Sequence, residues 1–129
     1  VPGSSSSAGG IIVNVTSMPA GRGWPRNSVY GGGKVALDFM THTWAMELAS
    51  RGIRVVSVAP GVTRTPVLVH AGYTPEESQA VGEELIRRVP LARIAEPAEI
   101  AWWIVNAVRP EAGFMTGAVI RVDGGMGVS

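Results

Sequence analysis

The stretch Ile53 to Ala59, which reads IRVVSVA, is the feature that most narrows the possible folds. A short run of mostly β-branched residues with no strict polar alternation suits a strand covered on both faces, and such strands are typical of parallel sheets. Two similar runs lie far from it in sequence. Ile11 to Val15 follows Gly9-Gly10, and Ala118 to Val122 precedes Asp123-Gly124-Gly125. Between the runs the chain is helical in character. From Ser28 to Ser50 it reads as one long helix stopped at Arg51-Gly52. Thr74-Pro75-Glu76-Glu77 supplies an N-cap, a first-turn proline and a capping-box glutamate for a helix to about Arg88. Pro97 opens another helix, with Ile100, Trp103, Ile104 and Ala107 on one face. The pattern predicts an α/β domain of about three parallel strands with flanking helices.

The long helix carries two apolar stripes. At ~100° per residue, Leu37, Met40, Trp44 and Leu48 share one side, and Val35, Phe39, His42 and Met46 the opposite one. One stripe is expected on the sheet. The other requires a further helix or a second subunit, so a homodimer or homotetramer built partly on Val35, Phe39 and Met46 is expected.

Composition excludes several function classes. The chain is 46% hydrophobic and 16% charged, with no apolar run of membrane-spanning length. A formal net charge of +1 provides no basic field for nucleic acid. There is no cysteine, and His42 and His70 lack ligand spacing, so no metal site is expected. The first ten residues have neither the basic start nor the apolar core of a secretory signal, which makes a cytoplasmic location the expectation.

One pair of residues points to chemistry. Lys34 is the sole lysine, and Tyr30 precedes it by four positions near the head of the long helix. That spacing is about one turn, so phenol and ammonium share a face. A neighbouring cation favours the ionised phenol and makes it a candidate acid/base. Ser17 lies at the end of the first strand, with Thr16 beside it as a competing hydroxyl. Gly31, Gly33 and Ala36 formally match a G-x-G-x-x-A fingerprint, but a loop rather than a strand precedes them, and Gly33-Lys34-Val35 lacks the hydroxyl residue of a phosphate-binding P-loop. Three consecutive glycines inside a helix cost ~1 kcal/mol each relative to alanine, which suggests a close approach there to a ligand or strand, or else a loose first turn.

The Tyr30-Gly31-Gly32-Gly33-Lys34 run, Ser17 ahead of it and the turn Pro60-Gly61-Val62-Thr63-Arg64-Thr65 together resemble the short-chain dehydrogenase/reductases. Arg93 to Ala101, Thr116-Gly117 and Val122 to Gly125 resemble later motifs of that family, so the similarity runs from about Gly10 to Gly125. It lies close to bacterial reductases of 3-oxoacyl thioesters and to many alcohol or sugar dehydrogenases, so it implies a family rather than a substrate. The resemblance implies the C-terminal half of a Rossmann-like doubly wound sheet, with the N-terminal dinucleotide-binding half absent from these 129 residues. It further implies a carbonyl/alcohol oxidoreductase using NAD or NADP, with Ser17, Tyr30 and Lys34 as its catalytic residues. Ser17, Met18 and Tyr30 would contact substrate. Lys34, with Tyr30, would meet the nicotinamide ribose, and Pro60, Gly61, Thr63 and Thr65 would meet the nicotinamide end; for Thr63 and Thr65, bonding within their own loop is the alternative. The usual helical asparagine of such sites is missing, and Asn14 is no substitute. Trp24 and Tyr73 are further candidates for the pocket, and Pro66 to Arg88 for a lid over it. A separate polypeptide supplying the first half, or a non-catalytic fragment acting only through assembly, are the alternatives.

Overall fold

The computed structural model describes residues 9–17, 23 and 25–128. Met18 and Trp24 lie outside the described residues. Three strands form one sheet in the order β1, β2, β3: Gly10–Val15, Ile53–Pro60 and Val119–Val122. All neighbours are parallel, with Gly10 opposite Ile53, Val15 opposite Val58, and Ser57 opposite Val119. β2 is therefore central, and Val55, Val56, Ser57 and Val58 are fully buried. This is the architecture that its apolar run predicts. β1 has its second neighbour position unpaired among the described residues, and Ile12 and Val15 on it are exposed.

Helix α1 spans Ser28–Leu48 and continues into a 3-10 turn at Ala49–Arg51. Gly52 ends it with φ 71°, a left-handed value that favours glycine, and donates its N–H to the Ala49 carbonyl. Helices α2 (Val67–His70), α3 (Pro75–Arg87) and α4 (Pro97–Ala107) follow. α3 starts as expected: Thr74 Oγ1 accepts from Glu77 N, and Glu77 Oε1 accepts from Thr74 N, both at 3.1 Å. The four-residue α2 is too short to leave a periodic signal, and the sequence reading treats that stretch as irregular.

The seating of α1 differs from expectation. Its buried residues are Asp38, Thr41 and Ala45, which belong to neither apolar stripe. They form a narrow seam that rests on the sheet, with Leu37, Trp44 and Leu48 half-buried along one flank. Val35, Phe39 and Met46 are 45%, 69% and 83% exposed along the other flank, and Met40 is exposed too. Helical periodicity locates both stripes correctly; it does not reveal that hydrogen-bonding side chains would occupy the line between them. Asn14 Nδ2 donates to Thr41 Oγ1 at 3.0 Å, and Ser57 Oγ donates to Asp38 Oδ1 at 3.1 Å, so the contact is polar and satisfied.

α4 covers the opposite face. Arg54 shares a pleat side with Val56 and Val58, and its guanidinium donates to the Ala107 carbonyl at the end of α4 at 2.8 Å. Ile100 and Ala107 are buried there, whereas Trp103, expected on the same face, is 42% exposed and packs edge-on against Trp102. Among the described residues, Gly32 and Gly33 meet nothing within 4 Å of where a Cβ would stand. Close approach to a strand of this chain is thus not what keeps them small. Gly32→Ala and Gly33→Ala are expected to stabilise the fold by about 0.5–1 kcal/mol each, read as a rise in the thermal midpoint; a fall would reveal a close contact at that surface.

Candidate active site

The C-terminal ends of β1 and β2 and the first turns of α1 converge at one end of the sheet. Lys34 reaches back from α1 to donate its ammonium to the Val15 carbonyl at 3.2 Å, and the same nitrogen lies 5.5 Å from the centre of the Tyr30 ring. The helical spacing of the pair therefore becomes a direct contact. One ammonium joins the tyrosine to the strand end, and it carries three N–H donors for one such bond.

Ser17 follows Val15 by two residues and is half-buried. It lines a cleft of about 1420 Å³ together with Pro60, Gly61, Thr63 and Thr65. Ser17 thus belongs to two neighbourhoods, the strand end that Lys34 grips and the cleft wall. Tyr30 and Lys34 are not part of that wall, and neither is Tyr73. The segment from Pro66 to Arg88 supplies α2 and α3, whose Leu68 and Ile86 border the cleft. Thr16 is distinguished from Ser17 by burial: it is 3% exposed, and its hydroxyl lies 2.9 Å from Ser57 Oγ, beneath α1.

The turn after β2 is fixed on both sides. Gly61 N donates to the Val122 carbonyl at 3.0 Å, and a Cβ at Gly61 would stand 2.7 Å from Asp123 Cα and Cβ. Packing against Asp123, the residue after β3, and not backbone conformation, demands glycine there. Thr63 Oγ1 donates to the Gly61 carbonyl at 3.1 Å and Thr65 Oγ1 accepts from Val67 N at 2.9 Å, so both hydroxyls serve their own loop, the alternative that turn chemistry allows. Asp123 braces the neighbouring turn by accepting from Gly125 N and Gly127 N.

One element of this site is not visible in the sequence. Residues 62–64 pair with residue 95 ahead of α4: Thr63 bridges Ala95 in parallel, Arg64 N donates to the Ala95 carbonyl and Ala95 N to the Val62 carbonyl. Arg64 Nε to Glu96 Oε1, at 2.9 Å, closes the contact. The residues involved are some thirty positions apart, and only an alignment of many sequences or a structure joins them. Just beyond, Arg93 holds Glu99 through two bonds of 2.6 and 2.7 Å, and Glu96 N adds a third. The Arg93 guanidinium and that main-chain N–H hold the Glu99 carboxyl down at about 2. Among the described residues no group of three or more His, Cys, Asp or Glu could hold a metal, and no helix is long and apolar enough to cross a membrane.

The family model described as Enoyl-(Acyl carrier protein) reductase matches residues 4–127, nearly the whole chain. The chain belongs to the short-chain dehydrogenase/reductase family. It is 40% identical over 117 residues to a 3-oxoacyl-[acyl-carrier-protein] reductase of Thermotoga maritima, covering 91% of this chain and 45% of that protein. It is 37% identical over 118 residues to L-xylulose reductase of Bos taurus, covering 92% and 47%, and 38% identical over 116 residues to a 3alpha-hydroxysteroid dehydrogenase of Mediterraneibacter gnavus, covering 90% and 44%. A solved short chain dehydrogenase/reductase family protein superposes with a TM-score of 0.77 at 41% identity, over 92% of this chain and 46% of its own. The chain spans about half the length of the curated relatives it matches, and its three parallel strands with flanking helices are that half of the family's sheet.

The Glu99 carboxyl gives the site a pH signature. A depressed folded pKa stabilises the fold above the ordinary value of 4.5 and loses that contribution as pH falls from there toward about 2. Glu99→Gln is expected to lower the thermal midpoint at neutral pH and to match the parent below pH 2. Thermal melts of both proteins across this window check it; a gap that widens in acid overturns it.

Proposed function

We propose that this chain carries the catalytic half of an NAD(P)-dependent oxidoreductase that interconverts a carbonyl and an alcohol. The observation that carries the reading is the placement of Lys34, in contact with both the Tyr30 ring and the Val15 carbonyl two residues before Ser17. Tyr30 is the group that exchanges a proton with the substrate oxygen, since a phenol beside an ammonium is suited to general acid/base work. Ser17 donates a hydrogen bond to the same oxygen. Lys34 steadies the phenol and offers its other donors to a ribose hydroxyl.

The residues fit a nicotinamide coenzyme on a second count. The cleft of about 1420 Å³ is walled by Ser17 and by Pro60, Gly61, Thr63 and Thr65 of the turn that would meet the coenzyme. The coenzyme, when bound, supplies or accepts the hydride. The turn from Pro60 to Thr65 would meet its nicotinamide end through main-chain groups near Thr63, whose hydroxyl bonds within the loop, and through the Thr65 hydroxyl, which accepts from Val67 N and can still donate. The nucleotide-binding half comes from the remainder of the polypeptide or from a second one. The exposed flank at Val35, Phe39 and Met46 is the face on which copies of the enzyme would pair.

The test uses the assembled enzyme with NADH or NADPH and a panel of carbonyls: an acetoacetyl thioester, a ketopentose and a 3-ketosteroid. Quenching of tryptophan fluorescence reports coenzyme binding. Tyr30→Phe is expected to lower kcat about 10²- to 10⁴-fold while coenzyme still binds, and Lys34→Ala to weaken both turnover and binding. Full turnover by Tyr30→Phe removes the assignment.

A further inference from the structure

Behind the strand end lies a chain of side chains that the reaction as described does not use. Asp38 is 7% exposed, Thr16 3% and Ser57 fully buried. Ser57 Oγ donates to Asp38 Oδ1 at 3.1 Å, and Thr16 Oγ1 lies 2.9 Å from Ser57 Oγ. A carboxylate only accepts, and Ser57 has one hydroxyl proton. With that proton on Asp38, the 2.9 Å bond must run from the Thr16 hydroxyl to Ser57 Oγ. Asp38 therefore sets the direction of the whole chain. It turns the Thr16 proton inward, while the next residue, Ser17, lines the cleft.

The main chain at the same point is held as well. Thr16 N donates to the Val58 carbonyl at 2.9 Å, and the Val15 carbonyl accepts from Lys34. Three bonds, two from β2 and one from α1, thus grip the two residues before Ser17. A buried carboxylate is an expensive way to fill space between a helix and a sheet, where apolar side chains of similar volume would avoid the desolvation cost. What it provides that they would not is orientation.

We infer that Asp38 is a positioning residue for Ser17, acting through Ser57 and Thr16. The inference rests on the oxidoreductase reading above. It predicts that disrupting the chain slows the chemical step through Ser17 and leaves coenzyme binding alone.

Asp38→Ala, Asp38→Asn, Ser57→Ala and Thr16→Val, each with and without Ser17→Ala, are compared in the assembled enzyme with NADPH and the carbonyl of the panel that turns over fastest. Asp38→Ala and Ser57→Ala are expected to lower kcat about 10- to 100-fold, the scale of a displacement of roughly 1 Å in a reacting group, with the NADPH dissociation constant unchanged. Asp38→Asn, whose amide oxygen still accepts from Ser57, is expected to recover most of the rate. None of the changes should cost further rate once Ser17 is alanine, because residues acting as one unit are not additive. Amide hydrogen exchange should quicken at Thr16 and Ser17 alone. Losses that multiply with Ser17→Ala, or exchange that rises along all of β2, overturn the inference and leave Asp38 as a packing group. Ser57→Ala and Thr16→Val are mild enough to decide the matter if Asp38→Ala does not fold. If Ser17→Ala and Tyr30→Phe themselves retain full turnover, the oxidoreductase reading is what fails, and the exchange data still decide whether Asp38 holds the strand end.

Discussion

Burial of β2 on both faces is the constraint from which the rest of this structure follows. A parallel strand with Val55, Val56 and Val58 withdrawn from water needs a layer on each side, and a parallel neighbour is reached only through a crossover long enough to hold a helix. α1 and α4 are those layers. Because parallel strands all point the same way, the loops that leave β1 and β2 emerge at one end of the sheet, and so do Ser17 and the turn from Pro60 to Thr65. α1 then brings Tyr30 and Lys34 to the same end, since its first turns lie over the C-terminal end of β1. The site is a geometrical result of strand direction before it is a matter of particular side chains.

The layer between α1 and the sheet is unusual in being polar along its centre. Leaving a buried donor or acceptor unpaired costs about 1–3 kcal/mol, so a seam containing Asn14, Thr16, Asp38, Thr41 and Ser57 is tolerable only if its members satisfy one another. They do: Asn14 reaches Thr41, Thr41 Oγ1 donates onward to the Leu37 carbonyl, and Thr16, Ser57 and Asp38 form a second set. Such bonds demand definite distances and angles, unlike apolar contacts, which tolerate sliding. The register of α1 on the sheet is thereby fixed where Lys34 has to meet the Val15 carbonyl. The apolar residues displaced to the flanks are left with 69% of Phe39 and 83% of Met46 exposed. Precision where Lys34 meets β1 and unburied surface along the helix have the same origin.

Much of this was legible in the residues. The three apolar runs mark the strands, and the central one does so most clearly because burial of β2 on both faces leaves no room for polar alternation. Thr74 with Glu77 and the Gly52 stop mark helix ends because unpaired main-chain groups need partners at those places. Tyr30 and Lys34 are four apart, and one helical turn suffices to bring them together. Every one of these signals is local. The sequence misleads where the answer depends on what lies opposite: it assigns an apolar stripe to the sheet, groups Trp103 with the buried Ile100 and Ala107, and allows a close strand as one reason for Gly32 and Gly33.

Local chemistry therefore determined the strands, the longer helices, their order and the meeting of Tyr30 with Lys34, because helix and strand periodicity and end-capping act over a few residues. Only the tertiary structure decided that Thr16 points beneath α1 while Ser17 lines the cleft. The same holds for Gly61 pressed against Asp123, for Arg64 meeting Glu96, and for Asp38 at the end of a hydroxyl chain begun 22 residues earlier at Thr16. Each of those relations joins residues that are distant along the chain, and a hydrogen bond or a close approach exists only once the sheet has brought its two sides within about 3 Å.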